Sequence, residues 1–261
     1  MTRIFKTVCA GLLLAILFPV LLRAAGKRSF YEIKIFHLRS AAQVQQVDAF
    51  LEQAYFPALH KAGIQKIGAY HWMGNDTAND KKVIVFIPLR SIQDITMVDN
   101  IVVTDPSIAS AGEAYWNAAY NAPPFNRIET VVLQAFPKMP SFEIPELGGD
   151  KADHIYELRS YEGPTERLYR QKLKMFNTGG EVALFKRLQF HAVFYAQVIA
   201  GSHMPNLMYM TSFLNQSEHD AHWKAFGSDP EWVKLKNEAE YLNTVSRADV
   251  LLMHPTPFSE I

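Results

Sequence analysis

The chain has 261 residues, of which 49% are hydrophobic, 20% are charged and 12% are aromatic, and its 26 basic residues balance 26 acidic ones. This composition is typical of a folded globular protein and excludes collagen, coiled coil and long disordered chains. A formal net charge of zero offers no basic surface, so we expect no nucleic-acid partner. A single cysteine excludes an intrachain disulfide framework.

The first predicted element is a signal peptide over residues 1–25. Arg3 and Lys6 precede an uncharged, leucine-rich run over 8–22, and small residues follow at 24–26. The run is shorter than the roughly 20 apolar residues that a membrane span requires, and this order of segments is typical of a secretory leader. We therefore expect a secreted or periplasmic protein whose mature chain has no membrane span. The alternatives are an uncleaved anchor and a mitochondrial presequence.

The rest of the chain contains an internal repeat. The sequence FYEIK at 30–34 resembles IYELR at 155–159, and the apolar run at 83–87 resembles that at 207–211. Further matches follow in the same order at nearly constant spacing, which is the pattern of a duplicated unit. We interpret the chain as two copies of one unit.

A proline- and glycine-rich stretch over 137–153 separates the two units. It contains three prolines and the pair Gly148-Gly149. Proline fixes φ and lacks a backbone donor, so this stretch is predicted to be an extended linker. The first unit then covers 26–136 and the second covers 154–261.

Within each unit the periodicity predicts strand, helix, strand, strand, helix, strand. Alternation of apolar and polar residues indicates the strands, and apolar residues at three- and four-residue spacing indicate the helices. In the first unit the predicted strands are 31–36, 67–72, 83–89 and 128–136, and the helices are 42–61, bent at Pro57, and 107–120. In the second unit the strands open at Tyr156 and continue at 191–199, 207–213 and 248–254, and the helices are 166–176, 181–188 and one from about 217 that restarts at Pro230.

This order of elements predicts an α+β fold of tandem ferredoxin-like (βαββαβ) units. Each unit places its helices on one face of a four-stranded sheet and leaves the other face bare. Two bare faces that turn toward each other would enclose a barrel-like interior. We expect either a monomer whose two units close on each other or a homodimer in which each unit pairs with a neighbour's.

Charged residues on the first strand of each unit are the candidate binding groups. Glu32 and Lys34 alternate with Tyr31 and Ile33, and the second unit repeats this pattern, so the charged pairs are predicted to project between the sheets. The arginine of the second unit would offer a bidentate fork to a polar ligand. The alternatives are a solvated salt bridge and a structural network. The complete predicted ligand pocket comprises Glu32, Lys34, Glu157, Arg159, His191, Tyr195, Tyr209 and Trp223, the last of which is otherwise a core residue.

Two segments of the second unit resemble the NIPSNAP family. They are YELRSY at 156–161 and AHWKAFGSDPEW at 221–232. The resemblance is strong over 154–258 and weaker over 30–136. It implies a dimeric α/β-barrel-type arrangement of the two units, since that superfamily contains the NIPSNAP family. The resemblance supplies no catalytic residues.

The resulting functional hypothesis is an exported NIPSNAP-domain protein that binds a small hydrophobic or amphipathic ligand, or a partner protein, between its sheets. No catalytic, metal-binding or phosphate-binding motif is evident, so this hypothesis includes no metal and no cofactor. The alternative is a monooxygenase or haem-handling enzyme of the same superfamily, with His191, His203 or His222 contacting haem. Whether the protein is an enzyme stays open at this point.

Overall fold

The computed structural model describes residues 27–261, so the predicted signal peptide lies outside the described residues. The strands are β1 (Phe30–Leu38), β2 (Gly68–Trp72), β3 (Lys81–Leu89), β4 (Arg127–Ala135), β5 (Ile155–Glu162), β6 (His191–Ala200), β7 (Asn206–Phe213) and β8 (Arg247–Pro255). The α-helices are α1 (Ala41–Phe50), α2 (Phe56–Lys61), α3 (Asp94–Thr104), α4 (Pro106–Ser110), α5 (Glu113–Trp116), α6 (Glu166–Asn177), α7 (Glu181–Arg187), α8 (Gln216–Ser228) and α9 (Pro230–Lys236).

The eight strands form one closed antiparallel barrel in the order β1-β3-β2-β8-β5-β7-β6-β4. Each unit contributes four neighbouring strands, and two seams join the units. At one seam Tyr70–Trp72 of β2 pairs with Met253–Pro255 of β8, and at the other Val132–Ala135 of β4 pairs with Ala196–Ala200 of β6. The predicted tandem βαββαβ fold is confirmed, and a single chain closes the barrel.

Apolar side chains from both units fill most of the barrel interior. Tyr31, Phe86 and Phe194 pack against one another with ring centroids 5.2–5.4 Å apart, and Tyr70 packs on Tyr156 at 4.8 Å. All five side chains are buried. The two bare sheet faces are thus covered by each other, which removes their apolar surface from water.

The segment between the units takes part in this packing. Phe142 contacts the rings of Tyr31 and Phe86, with centroids 6.3 and 5.7 Å away. The backbone of Glu143 donates a hydrogen bond to the Val193 carbonyl of β6. The segment is irregular, as its prolines predict, but it packs against one end of the barrel core.

The opposite end of the barrel contains a hollow of about 290 Å³. We call it the barrel-end hollow; its apolar floor is formed by Ile35, Val131, Leu158, Met208 and Leu251. The first two residues come from the first unit and the other three from the second. The space therefore exists only where the two units meet.

The prediction that the charged pairs project between the sheets is wrong. The interior face of β1 carries Tyr31 and Ile33, so Glu32 and Lys34 lie on the other face, beneath the helices. The same alternation in the second unit places Glu157 and Arg159 under the helices, where both contact Trp223 of α8. The physical reason is desolvation: the interior around Tyr31 and Ile33 is packed with apolar side chains, whereas the helix layer supplies partners for charges.

The helices of the first unit differ in part from the prediction. The segment predicted as one bent helix is α1, a π-helical turn at Leu51–Tyr55, and α2, whose first turn contains Pro57. The helix predicted over 107–120 is present as two short helices, α4 and α5, and the longer helix α3 before them was not predicted. Asp105 ends α3 and caps α4 by accepting a hydrogen bond from the Ser107 amide.

The last helix of the second unit follows the prediction. Asp229 accepts hydrogen bonds from the amides of Glu231 and Trp232, and Pro230 is the first residue of α9. Within residues 27–261, no helix combines the length and the apolar character needed to cross a bilayer.

Truncating the barrel core should destabilise the whole chain. For Phe86→Ala we expect the free energy of unfolding to fall by about 3–5 kcal/mol, since a fully buried ring is lost and a cavity remains. Urea denaturation measures this change. The control Ile144→Ala removes an exposed side chain of the linker and should change stability by less than about 0.5 kcal/mol. Equal effects of the two substitutions would contradict the packed interior.

Candidate functional site

A cavity of about 720 Å³ lies between the sheet and the helices of the first unit. We call it the helix-layer cavity. Its floor is the outer face of β1, one wall is α1 with the π-helical turn, and the other walls are α3, α5 and the irregular segment that leads into β4. The residues that line it include Lys34, Phe36, Arg39, Gln43, Phe50, Tyr55, Asp99, Val102, Tyr115, Trp116, Phe125, Asn126, Arg127 and Ile128.

Aromatic rings form the walls of this cavity. Phe50 and Tyr115 stack with centroids 3.8 Å apart and planes 8° from parallel. Phe125 packs against Tyr115 at 5.7 Å and against Phe36 at 6.4 Å. Such walls favour a flat apolar molecule, because aromatic faces and edges stack on one another.

The floor of the cavity carries a buried ion pair. Lys34 Nζ lies 3.2 Å from Glu32 Oε1, and the two side chains are 14% and 2% exposed. Burial raises the pKa of Glu32 above its ordinary value, and the neighbouring Lys34 ammonium opposes this shift. The pair places a primary ammonium at the bottom of an otherwise aromatic space.

Tyr55 adds a second donor beside this ion pair. Its ring lies 5.9 Å from Lys34 Nζ, and its buried hydroxyl has no hydrogen-bond partner among the described residues. Burial raises the pKa of Tyr55 well above its ordinary value, so the phenol keeps its proton. A buried, unpaired hydroxyl costs free energy, and a ligand oxygen would satisfy it.

Hydrogen bonds hold the rim of the cavity together. Arg39 donates to Asn126 Oδ1 at 2.7 Å, and Gln43 donates to the Pro123 carbonyl at 2.7 Å. These bonds join the start of α1 to the segment that precedes β4. Two aromatic side chains of the rim, Trp116 and Tyr120, are exposed to solvent.

The same layer of the second unit contains an ion-pair network in place of a cavity. Arg159 donates to Glu157 Oε1 at 2.8 Å, and Trp223 Nε1 donates to Glu157 Oε2 at 2.5 Å. The guanidinium of Arg159 also lies 4.3 Å from the Trp223 ring centroid. A second buried pair, Lys172 with Glu181 at 2.9 Å, lies in the same layer.

The residues paired across the sheet with the two basic side chains differ between the helix layers of the two units. Lys34 is paired across the sheet with Val85, and the equivalent Arg159 is paired with Tyr209. The Tyr209 hydroxyl lies 2.9 Å from that of Tyr161 and fills the space above the sheet. The first unit has valine at the position equivalent to Tyr209 and so lacks this hydroxyl pair.

The predicted pocket residues therefore lie in three places. Glu32 and Lys34 are at the floor of the helix-layer cavity. Glu157, Arg159 and Trp223 form the network of the second unit, where Tyr195 and Tyr209 also pack with ring centroids 5.6 Å apart.

His191 lies beside a surface groove that is lined by Lys138 and Glu143 and also by Tyr195. The structure does not bring the eight predicted residues together into one site. Their role in ligand binding stays a prediction.

Sequence reasoning missed most of the cavity walls. Asp99 and Val102 lie on α3, which was not predicted, and Tyr115 lies in a helix predicted with the wrong limits. Ile95, Val98 and Ile101 repeat at three-residue spacing and could have revealed α3. Tyr55 lay within a predicted helix, but only the structure shows that its hydroxyl is unpaired.

Residues 156–260 match the NIPSNAP family model, which confirms the resemblance for the second unit. No curated protein matches the chain. The match covers the filled unit, and the helix-layer cavity lies outside it.

Several solved structures share the fold. A proposed monooxygenase from Lactobacillus acidophilus NCFM has a TM-score of 0.56 and 10% identity over 87% of this chain and 94% of its own. A proposed monooxygenase from Fusobacterium nucleatum has a TM-score of 0.58 and 4% identity over 88% and 93%. An anthrone oxidase-like protein has a TM-score of 0.53 and 8% identity over 89% and 93%. At these identities the similarity establishes the fold alone.

The network of the second unit should make stability depend on pH through His219. Burial lowers the pKa of His219, but the Glu157 carboxylate 3.4 Å from Nε2 and the Asp220 carboxylate 2.8 Å from Nδ1 outweigh burial and raise it above its ordinary value of 6.5. A raised folded-state pKa means that His219 stabilises the fold fully below pH 6.5 and loses this effect as pH rises through the folded value. His219→Gln should remove this loss of stability with rising pH. The free energy of unfolding in urea, measured below pH 6.5 and again above the folded-state pKa, checks this.

The matched control is Lys224→Gln on the exposed side of the same helix, which should keep the wild-type pH profile. An identical pH profile in wild type and His219→Gln would show that the imidazole does not gain its proton from this network.

Proposed function

We propose that the protein binds a flat, anionic amphipathic small molecule in the helix-layer cavity of its first unit. The second unit, which matches the NIPSNAP family model over 156–260, supplies the other half of the closed barrel. The observation that carries the proposal is the unpaired Tyr55 hydroxyl beside the Lys34 ammonium, at the bottom of an aromatic cavity. The location differs from the sequence-based hypothesis, which placed the ligand between the sheets.

The size and walls of the cavity support a small-molecule ligand. Its volume of about 720 Å³ lies within the range of roughly 300–1,000 Å³ found for such sites. The stacked rings of Phe50 and Tyr115 and the ring of Phe125 offer apolar faces to a fused-ring body. A partner protein is a weaker candidate, because the polar groups lie at the bottom of the cavity and not on its rim.

The charges of the cavity support an anionic group on the ligand. Lys34, Arg39 and Arg127 line it, and Asp99 is the acidic side chain of the lining. Glu32 beneath the lining balances the charge of Lys34, so the remaining excess is positive by one charge. An acidic oxygen next to Lys34 would accept hydrogen bonds from both the ammonium and the Tyr55 hydroxyl. Hydrogen bonds to a charged group are roughly twice as strong as neutral ones, so they would select the anion.

A matched pair of probes tests this proposal. We expect 2-naphthoate to bind about tenfold more tightly than naphthalene-2-methanol, which has the same ring system without the charge. Quenching of Trp116 fluorescence or calorimetry measures both affinities. The double substitution Glu32→Gln/Lys34→Met removes the ion pair without leaving a buried charge, and it should abolish the preference for the anion.

The control Lys61→Met removes an exposed lysine of the same unit outside the cavity lining and should leave both affinities unchanged. Equal affinity for the two probes, or a preference for the anion that survives the double substitution, would disprove the assignment of Lys34. Filling the cavity with Ala119→Trp should weaken both probes, which tests the location separately.

The alternative function, oxygenation, is favoured by the monooxygenase and oxidase names of proteins with this fold. A cavity that holds a flat anionic ring system would also suit the substrate of such a reaction. Oxygen uptake during incubation with naphthoates or quinols distinguishes the two, because a binding protein consumes no oxygen.

Haem does not fit the helix-layer cavity well. Among the described residues that line it there is no histidine, cysteine or methionine, the usual axial ligands. Burial raises the pKa of Tyr55 and of Tyr115, so neither favours the tyrosinate that would bind iron. The three histidines considered from the sequence lie apart: His191 borders a groove, His203 pairs with Glu162, and His222 packs on Phe190.

We accordingly expect the purified protein to be colourless and haemin to bind without a saturable one-to-one Soret shift. Absorption titration measures this. A stoichiometric Soret band that is lost in His191→Ala, His203→Ala or His222→Ala would overturn this expectation and favour the haem-handling alternative.

The compartment is part of the proposal. The basic, apolar and small-residue segments over 1–25 support export, so ligand binding would take place in a secreted or periplasmic protein. Fractionation of producing cells, followed by mass determination of the N-terminus, tests both export and cleavage.

A further inference from the structure

The barrel-end hollow is a second, separate site, and we propose that it binds a small apolar amine with the ammonium group against Asn206. The hollow lies between the sheets, whereas the helix-layer cavity lies outside them. Residues from both units form it. The proposal therefore does not rest on the function proposed for the first unit.

The hollow contains a buried hydrogen-bond acceptor without a partner within residues 27–261, the side-chain oxygen of Asn206. Asn206 begins β7, lines the hollow and is 3% exposed. Its Nδ2 donates to Ser160 Oγ at 2.8 Å, and its buried Oδ1 has no partner among the described residues. A buried carbonyl oxygen without a donor is costly, so a ligand that brings an N–H or O–H group gains a hydrogen bond there.

The charges around the mouth favour a cationic donor. Glu129 and Asp249 line it together with Lys82 and Arg247. Two further carboxylates, those of Asp80 and Glu162, lie 3.0 Å from the lining histidines His37 and His203, which carry no permanent charge. Lys82 pairs with Asp80 at 2.9 Å and Arg247 pairs with Asp249 at 3.0 Å, so each permanent cation already has a carboxylate partner. The remaining excess is negative, which attracts an ammonium group and repels an acid.

The apolar floor of the hollow determines the non-polar part of the ligand. The aliphatic and thioether side chains of Ile35, Val131, Leu158, Met208 and Leu251 leave about 290 Å³, enough for a small hydrocarbon body. Among the described residues no three acidic or histidine side chains are grouped so that they could hold a metal ion, so the apolar floor favours an organic cation. An amine with an aliphatic ring matches both the floor and the mouth.

Methionine methyl signals provide a direct test on the intact wild-type protein. With [methyl-¹³C]methionine, we expect cyclohexylmethylamine to shift the Met208 methyl resonance saturably. The methyl signals of Met97 and Met175, which lie in the two helix layers, should not move. Cyclohexylmethanol should bind about tenfold more weakly, and cyclohexanecarboxylate should not shift Met208.

A substitution then assigns the acceptor. Asn206→Leu should weaken the amine about tenfold and the alcohol by a smaller factor of about threefold, because a neutral hydroxyl donates a weaker hydrogen bond than an ammonium. The matched control Asn237→Leu, at an exposed position beyond α9, should change neither affinity. If Asn206→Leu does not fold, the wild-type comparison of amine, alcohol and acid still decides the question.

Three results would overturn the proposal: no Met208 shift with the amine, tighter binding of the acid, or displacement of the amine by saturating 2-naphthoate. The last result would place both probes in one site. Amine binding that persists while naphthoate binding fails would support this site and contradict only the function proposed for the first unit.

Discussion

The structure depends on covering two bare sheet faces. A four-stranded βαββαβ sheet carries helices on one side only, and its other side here bears Tyr31 and Ile33 in one unit and Tyr156 and Leu158 in the other. These faces would expose a large apolar surface if the units were apart, so closing the barrel is the main source of stability that the two units share. The strand alternation that buries them also fixes which side every other residue of the sheet occupies.

Because of that alternation, both helix layers cover a charged pair on the first strand of their unit, but the packing above the pair differs between the units. Both begin with a glutamate and a basic residue on the outer face of the first strand. In the second unit Trp223 and Tyr161 pack against the pair, and Trp223 donates a hydrogen bond to its glutamate, whereas in the first unit the helix-layer cavity lies above Lys34. One copy thus has a filled core and the other an open cavity, although the sequence repeat alone would suggest two equivalent sites.

Much of the fold could be predicted from the hydrophobic periodicity of the sequence and from its internal repeat. Strand positions, the closure of the barrel and the start of α9 at Asp229-Pro230 all depend on local signals that the structure confirms. The sequence did not show on which side of the sheet Glu32 and Lys34 lie. Alternation shows only that they face the opposite way from Tyr31 and Ile33, and does not show which pair faces the helices. The hydrophobicity of Tyr31 and Ile33 is compatible with either face, and only the completed barrel decides between them.

The candidate site was less accessible to sequence reasoning for a related reason. Its polar floor lies on a strand that the pattern identified, but its walls come from α3 and α5, where short helices and an Asp-Pro break obscure the periodicity. An unpaired hydroxyl such as that of Tyr55, or an unpaired amide oxygen such as that of Asn206, is defined by what its neighbours fail to provide. Such a property exists only in three dimensions.

The short strand pairing between β2 and β8 gives the residues that follow β8 a structural role. Only Tyr70–Trp72 and Met253–Pro255 pair in this seam, whereas β1 pairs with β3 along its whole length. The amides of Thr256 and Glu260 extend the seam by donating to the carbonyls of Ala69 and Ile67. The amides of Ala69 and Ile67 in turn donate to Ser259 Oγ and Glu260 Oε2. Residues 256–260 therefore hold the two units together where the strand pairing is shortest.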